Sequence, residues 1–224
     1  MGCASNTCID QNPTWKTEFL TDDSSDTFAK QHFASRPDIV ETYLNLSVPI
    51  LKADLLRYLL LFPEGGVWSD LDVSCEEVTP IESWIPSQYK ANTSLVVGWE
   101  FDVGWPGNSV PQFATWAVMS KPGSPYMMKH ADLNLKITGD VVDLIGPRRM
   151  TSSIFKSLGL SLDKKVEIED IWKLEVPRLV GDVLILPGYA FARSSNHYEE
   201  SSMRAGTLVT HHFAGSWKNE YGGE

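Results

Sequence analysis

Apolar positions recur along the chain at two spacings, one helical and one of strand type. Over residues 24–44, Phe28, Phe33, Ile39, Val40, Tyr43 and Leu44 give a broken helical face. Ser24, Ser25 and Asp26 offer a cap there, and Pro37 opens a second helix. Pro49 precedes a strong helix from Ile50 to Phe62, and Pro63-Glu64-Gly65-Gly66 ends it with a breaker and two freely rotating glycines. Short β-type runs follow at Val67 to Val73, Leu95–Gly98, Thr115–Ser120, Val183–Leu186 and Thr207–Thr210. Further helices are predicted over Ser124–Leu135 and Thr151–Leu158. Strands alternating with helices predict an α/β sheet domain. No repeat, low-complexity tract or linker divides the 224 residues, so one domain is expected.

Composition narrows the function classes. The formal net charge of −10 disfavours nucleic acid or an anionic membrane surface as the main partner, since both select basic patches. No apolar run approaches the roughly 20 residues of a membrane helix, and the N-terminus shows no charged-then-apolar leader. Cys3, Cys8 and Cys75 make no disulfide framework, and their odd number leaves at least one unpaired or intermolecular; Cys3 and Cys8 could close a small loop. Two Asn-x-Ser/Thr matches, beginning at Asn45 and Asn92, lean weakly toward a secretory route.

Three constellations carry candidate chemistry. In a strand, Asp70 and Asp72 would share a face, where like charges repel unless a cation joins them. Such a pair at a strand end suits a hard divalent ion; an exposed turn with solvated acids is the plainer alternative. On the preceding helix, Asp54 and Arg57 lie three apart on one face, either as a surface ion pair or as partners for ligand hydroxyls and oxygens. Near the C-terminus, His211-His212-Phe213-Ala214-Gly215-Ser216-Trp217-Lys218 combines imidazole, glycine, indole and ammonium, a set suited to a metal and a phosphate. Two weaker segments are the basic Gly146-Pro147-Arg148-Arg149-Met150-Thr151, with Thr151 as a simple cap, and the aromatic, acidic Gly98-Trp99-Glu100-Phe101-Asp102 with Gly104-Trp105, which resembles a sugar-binding wall or plain loop packing. A Walker loop, a dinucleotide turn, a serine-nucleophile elbow and a zinc motif are all missing from the sequence, and no catalytic nucleophile stands out.

The block LKADLLRYLLLFPEGGVWSDLDV resembles the signature of glycosyltransferase family 32, which includes the fungal initiation-specific α-1,6-mannosyltransferases and the mannosyltransferases of inositol phosphoceramide. The resemblance continues through VVGWEFDVGW, ATWAVMSKPGSP and GPRRMT to HHFAGSWK, about residues 12–220, and is stronger toward the protein-glycan branch. It implies a GT-A type nucleotide-diphospho-sugar transferase fold, a GDP-mannose donor, Mn²⁺, retention of configuration, a glycan or glycolipid acceptor and a place in the Golgi lumen. Carried over residue by residue, it makes Asp72 a metal ligand, with Asp70 at the ribose or sugar and in the metal shell. Asp54 and Arg57 would hold the donor sugar, and Trp68, where the family often has Tyr, would stack on ribose or base. His212, Gly215 and Lys218 match an H-x-x-G-x-x-K pattern, making His212 the expected metal ligand and His211 the alternative; Ser216 and Trp217 would lie by the diphosphate. Family members begin with a strand of the type I-P-K-x-I-W-Q behind a membrane anchor, whereas this sequence opens with MGCASNTCIDQNPTW, similar to the segment after that strand. The expectation is therefore a domain lacking the first strand and anchor, either an active transferase or a non-catalytic sugar-binding relic.

Overall fold

The computed structural model describes residues 6–76, 79–105, 110–131 and 145–214. Helix α1 (Asn6–Gln11) leads into α2 (Asp22–His32), α3 (Pro37–Leu44) and α4 (Pro49–Glu64). Strands β1 (Gly66–Ser69), β2 (Val73–Cys75), β3 (Leu95–Gly98) and β4 (Ala117–Ser120) follow, then α5 (Pro125–Ala131) and α6 (Pro147–Leu162). Strands β5 (Arg178–Val180) and β6 (Val183–Leu186), helix α7 (Gly188–Ala192) and strand β7 (Val209–His211) complete the described order. None of the described helices is long and apolar enough to cross a membrane.

A five-stranded mixed sheet runs β1-β4-β3-β6-β5, with β3 and β6 parallel and the other pairs antiparallel. The central strands β3 and β6 are buried at every position, which is why their sequences read as unbroken apolar runs. Their side chains alternate between two cores. Leu95, Val97, Val183 and Ile185 pack with the helical layer that includes Leu55, Leu59, Met127, Ile154 and Leu158. Val96, Leu184 and Leu186 face the other way, toward Val73, Cys75, Trp84, Trp116 and Phe191. The α/β expectation is met by this three-layer arrangement.

Several boundaries differ from those the sequence pattern predicts. Thr21, not the Ser24–Asp26 cluster, caps α2; its side chain accepts from the Ser24 amide while Ser24 bonds back to the cap. Gly146-Pro147-Arg148-Arg149 is the start of α6 rather than a loop, because Pro147 sits where a helix needs no amide donor. Thr151 is no cap: its hydroxyl donates to the Pro147 carbonyl and accepts from the Phe113 amide. Helix α4 continues through Pro63, close to its C-terminal end, and stops at Gly65 with φ of 66°. The predicted strand over Val67 to Val73 is two strands in different sheets. Between them Asp70, Leu71 and Asp72 form a turn closed by the Val73 amide on the Asp70 carbonyl at 3.1 Å. Strand β2 pairs with β7 in a separate two-stranded sheet. The short β5 and helix α1 carry too little apolar pattern to be visible in advance.

The cysteine expectation is also corrected. Cys8 is bonded to Cys75 across 67 residues, so α1 is tied to β2, and Cys3 lies outside the described residues. Gln11 and Thr7 reinforce that tie through the backbone of Cys75. A bond closing a loop of this length removes up to about 4 kcal/mol of unfolded-state entropy in the chain-entropy account. Replacing Cys8 with Ser is expected to lower unfolding free energy by about 2–4 kcal/mol in urea titrations, and dithiothreitol should reproduce that loss in the parent protein.

Gly65 places β1 behind α4. A side chain there would meet the Pro122 ring at 2.6 Å and its backbone nitrogen at 2.7 Å, on top of the positive φ. Gly65→Ala should therefore destabilise by about 2 kcal/mol or more in urea unfolding, since backbone cannot swing aside as a flexible side chain can. An unchanged midpoint would show that the α4–β1 turn relaxes freely.

Candidate functional site

The turn after β1 sets two carboxylates side by side without any strand alternation. The Asp70 amide donates to the Trp116 carbonyl at 2.9 Å, anchoring the turn to the segment before β4. Asp72 is held from the other side by the small sheet: its carbonyl accepts from the His212 amide and its Oδ2 from the Ala214 amide, both at 2.9 Å. Strand β7 then delivers one histidine to the pair. Side chains alternate along a strand, so His211 shares a face with Val209 while His212 points the other way. His211 stacks on Trp116 at 4.3 Å, and its Nε2 lies 3.3 Å from Asp72 Oδ1. His212 Nε2 instead meets Ser74 Oγ at 2.8 Å. One ligand atom each from Asp70, Asp72 and His211 fits within a 4.8 Å cluster. In geometry the alternative His211, and not the expected His212, joins the aspartates.

Arg57 supplies the positive charge beside them. Its Nη2 bonds Asp54 Oδ1 and lies 3.8 Å from Asp70 Oδ1, with the pair's side chains only 2% and 7% exposed. The surface-pair alternative is thus removed. The guanidinium also sits 5.6 Å from the Trp68 ring centre, and the Trp68 indole donates to Asp70 Oδ1 at 2.6 Å. Burial pushes the Asp54 carboxyl up to about 6 against the pull of Arg57, with the Asp70 charge adding to the rise. Arg57 moves further above its usual value because the opposing carboxylates outweigh its own burial. Its Nε and Nη1 are buried and find no hydrogen-bond partner among the described residues. A buried donor without a partner costs about 1–3 kcal/mol, so each of these nitrogens suits an oxygen acceptor.

These groups line a cleft of about 2070 Å³ that also touches Glu100, Phe101, Gln112, Trp116 and Arg148. The donor set of two carboxylates and an imidazole fits a divalent cation that accepts oxygen with one nitrogen. Burial lowers the basicity of His211, against the pull of Asp72, a shift toward the neutral ring that can donate a lone pair to a cation. Gly215, Ser216, Trp217 and Lys218 lie outside the described residues.

The aromatic, acidic segment divides. Trp99 is fully buried and donates to the Ile171 carbonyl, and Asp102 accepts from the Lys173 and Gly188 amides and from Tyr198 Oη; both are packing groups. Glu100 and Phe101 face the cleft. The sequence offered no sign that Gln112 and Trp116 would join them, since nothing marks which residues of an irregular segment turn inward.

An α/β sheet whose edge strand leads into a carboxylate pair, with an imidazole and a buried guanidinium beside it, places at Asp70, Asp72 and His211 a group that could hold a metal ion. Residues 1–91 match the family described as glycosyltransferase sugar-binding region containing DXD motif, in which Asp70-Leu71-Asp72 supplies the motif. The chain is similar in sequence to initiation-specific α-1,6-mannosyltransferases. It is 33% identical to that of Schizosaccharomyces pombe over 93% of this chain and 58% of the relative, and 30% identical to that of Candida albicans over 94% and 65%. It spans about six-tenths of the length of these curated relatives. A mannosyl phosphorylinositol ceramide synthase of Saccharomyces cerevisiae is 41% identical over only 69 residues, 31% of this chain and 18% of that one. Among solved structures, the PaToxG glycosyltransferase aligns with a TM-score of 0.49 at 17% identity, over 71% of this chain and 65% of that chain.

Glu100 generates a prediction of its own. Burial raises its carboxyl to about 7 from 4.5, although the Gln112 bond and the Arg148 charge pull the other way. Between those two values the folded state keeps a proton that the unfolded state has shed, so stability present at low pH is lost as pH rises through this window. Glu100→Gln removes the liability: urea titrations should show a variant more stable than its parent at pH 8, by at most about 3 kcal/mol, and little difference near pH 5.

Proposed function

We propose that this chain is the donor-binding domain of a divalent-metal-dependent mannosyltransferase that moves mannose from GDP-mannose onto a protein-linked glycan, with an α-1,6 linkage and retained configuration. The observation that carries the proposal is the buried Arg57, paired with Asp54 and Asp70 and holding two donors that have no partner among the described residues, in the same cleft as Asp72 and His211. In this reading Asp70, Asp72 and His211 hold Mn²⁺ or a similar ion. A bound cation would stabilise the negative charge that gathers on the diphosphate as it leaves the sugar. Asp54 accepts hydrogen bonds from hydroxyls of the donor hexose, and Arg57 donates Nε and Nη1 to its oxygens or to phosphate. Trp68 braces Asp70 through its indole N–H while its ring covers the guanidinium, so the carboxylate stays aimed into the cleft. Ala214 ties the chain to Asp72 just before Gly215, Ser216, Trp217 and Lys218, to which the reading gives the diphosphate contacts. The group that accepts the proton of the attacking hydroxyl is left unassigned.

Similarity over nearly the whole chain to the protein-glycan enzymes, against 69 residues to the ceramide synthase, favours a glycan over a glycolipid acceptor. The GT-A assignment is part of the same reading. Strand β1 pairs only with β4 among the described residues, and its outer edge is where the first strand expected from the family would add. A Golgi lumen location fits the Cys8–Cys75 bond, which persists in oxidising compartments, and the exposed positions of Asn45 and Asn92. The anchor of the full-length family would supply membrane association.

Isothermal titration with GDP tests the core of this proposal. Binding is expected to require Mn²⁺, to vanish with EDTA, and to weaken about a hundredfold, roughly 2.8 kcal/mol, in Asp72→Ala. Intact metal-dependent binding in that variant would remove Asp72 from the ion. Failure of the parent protein to bind GDP with any divalent ion would favour the sugar-binding relic.

A further inference from the structure

The cleft has a second polar end that the metal and donor groups leave unused. Glu100, two residues beyond β3, is 8% exposed, and its Oε2 accepts from Gln112 Nε2 at 2.7 Å. Its other oxygen takes no hydrogen bond among the described residues and is not sealed in the core, since Glu100 lines the cleft. The backbone holds this carboxyl in place from three sides. The Glu100 amide donates to the Gln112 carbonyl at 2.7 Å, Trp99 bridges Phe113, and Asn196 Nδ2 donates to the Glu100 carbonyl at 2.9 Å. The Phe113 amide in turn binds Thr151 Oγ1 at 2.8 Å, which fixes the start of α6 and brings Arg148 to the same stretch of wall.

The segment from Gln112 to Trp116 joins this end to the carboxylate pair, because the Trp116 carbonyl accepts the Asp70 amide. Four residues of chain span at most about 14 Å, so the two ends lie within reach of one composite ligand. A cleft of about 2070 Å³ exceeds the roughly 300–1,000 Å³ that one small ligand fills, leaving space beside a donor. The chemistry also differs between the ends. The Asp70–Asp72–His211 end concentrates charge for a cation and a diphosphate. The Glu100 end combines a carboxyl, a carboxamide and a guanidinium with the ring of Phe101, a set that recognises neutral hydroxyls and the apolar face of a sugar.

We propose that Glu100 and Gln112, with Arg148 at the rim and Phe101 as an apolar floor, form the subsite for the acceptor hexose, Glu100 accepting a hydrogen bond from one of its hydroxyls. The proposal rests on the transferase reading, in which a second sugar must meet the donor in this cleft. Burial that favours the protonated carboxyl fits a neutral partner better than a cation, since either form of the acid can bond a hydroxyl.

The test uses the whole chain with methyl α-mannoside as acceptor probe. Glu100→Ala and Gln112→Ala should each raise the KM for the mannoside at least about tenfold, with a smaller change in kcat and with GDP–Mn²⁺ affinity unchanged, measured at a temperature where each variant is fully folded. Glu100→Gln, which keeps a carbonyl acceptor at the same place, should restore most of the mannoside KM. An unchanged mannoside KM in both alanine variants would overturn the proposal, and so would a parallel loss of GDP–Mn²⁺ affinity, which would put these residues on the donor side. If the parent protein binds no GDP, the transferase reading fails separately, and the subsite is read by saturation-transfer NMR with methyl α-mannoside alone. Signal in the parent that disappears in Glu100→Ala supports the subsite; no signal in the parent, or equal signal in both, overturns it.

Discussion

A buried guanidinium organises this structure around itself. Arg57 is enclosed on α4, where an isolated charge would be untenable, and two carboxylates from different parts of the chain make it acceptable: Asp54 one turn before it and Asp70 beyond the end of β1. That arrangement couples a helix to a loop. The Asp54 bond is local and would form in any helix of this sequence. The Asp70 contact requires that α4 end where it does, that the chain reverse at Gly65, and that β1 run back beside β4. Among the described residues Nε and Nη1 have no hydrogen-bond partner, so the two carboxylates satisfy only part of the guanidinium.

The same economy appears in how the carboxylate pair is held. Asp70 and Asp72 are near one another because a three-residue turn is clamped from two sheets, by the Trp116 carbonyl on one flank and by the His212 and Ala214 amides on the other. The Cys8–Cys75 bond fastens the second of these sheets to the N-terminal helix. Parts of the chain around Cys8, Asp70, Trp116 and His211 thus converge on one small region. Such convergence is what the two-core, three-layer arrangement makes possible, since the large sheet is the common wall against which each part is registered.

The likeness to α-1,6-mannosyltransferases and the geometry of the cleft support each other without repeating the same information. Sequence similarity points to the motif and to the class of chemistry. The structure adds which nitrogen approaches which oxygen, and that Glu100 lines the same cleft as the two aspartates and His211.

Much of this was legible from the amino-acid order alone. The α/β class, the α4 helix and strands β3 and β6 follow from apolar periodicity, because continuous burial writes itself into consecutive residues. Asp54 and Arg57 were visible as a helical pair, and Asp70-Leu71-Asp72 as a motif. What the order could not show was which side of a strand or turn faces inward. A strand reading of Asp70 and Asp72 was reasonable by alternation and gave way to a turn, because β2 found its partner in β7 rather than continuing in the large sheet. The same pairing turned His211 toward the aspartates and His212 toward Ser74. Likewise the cysteine pairing and the meeting of Glu100 with Gln112 depend on contacts between distant or irregular segments, for which local pattern carries no term. Local preferences are additive along a chain and can be read there; register and long-range contact are properties of the packed whole, and only the tertiary structure decides them.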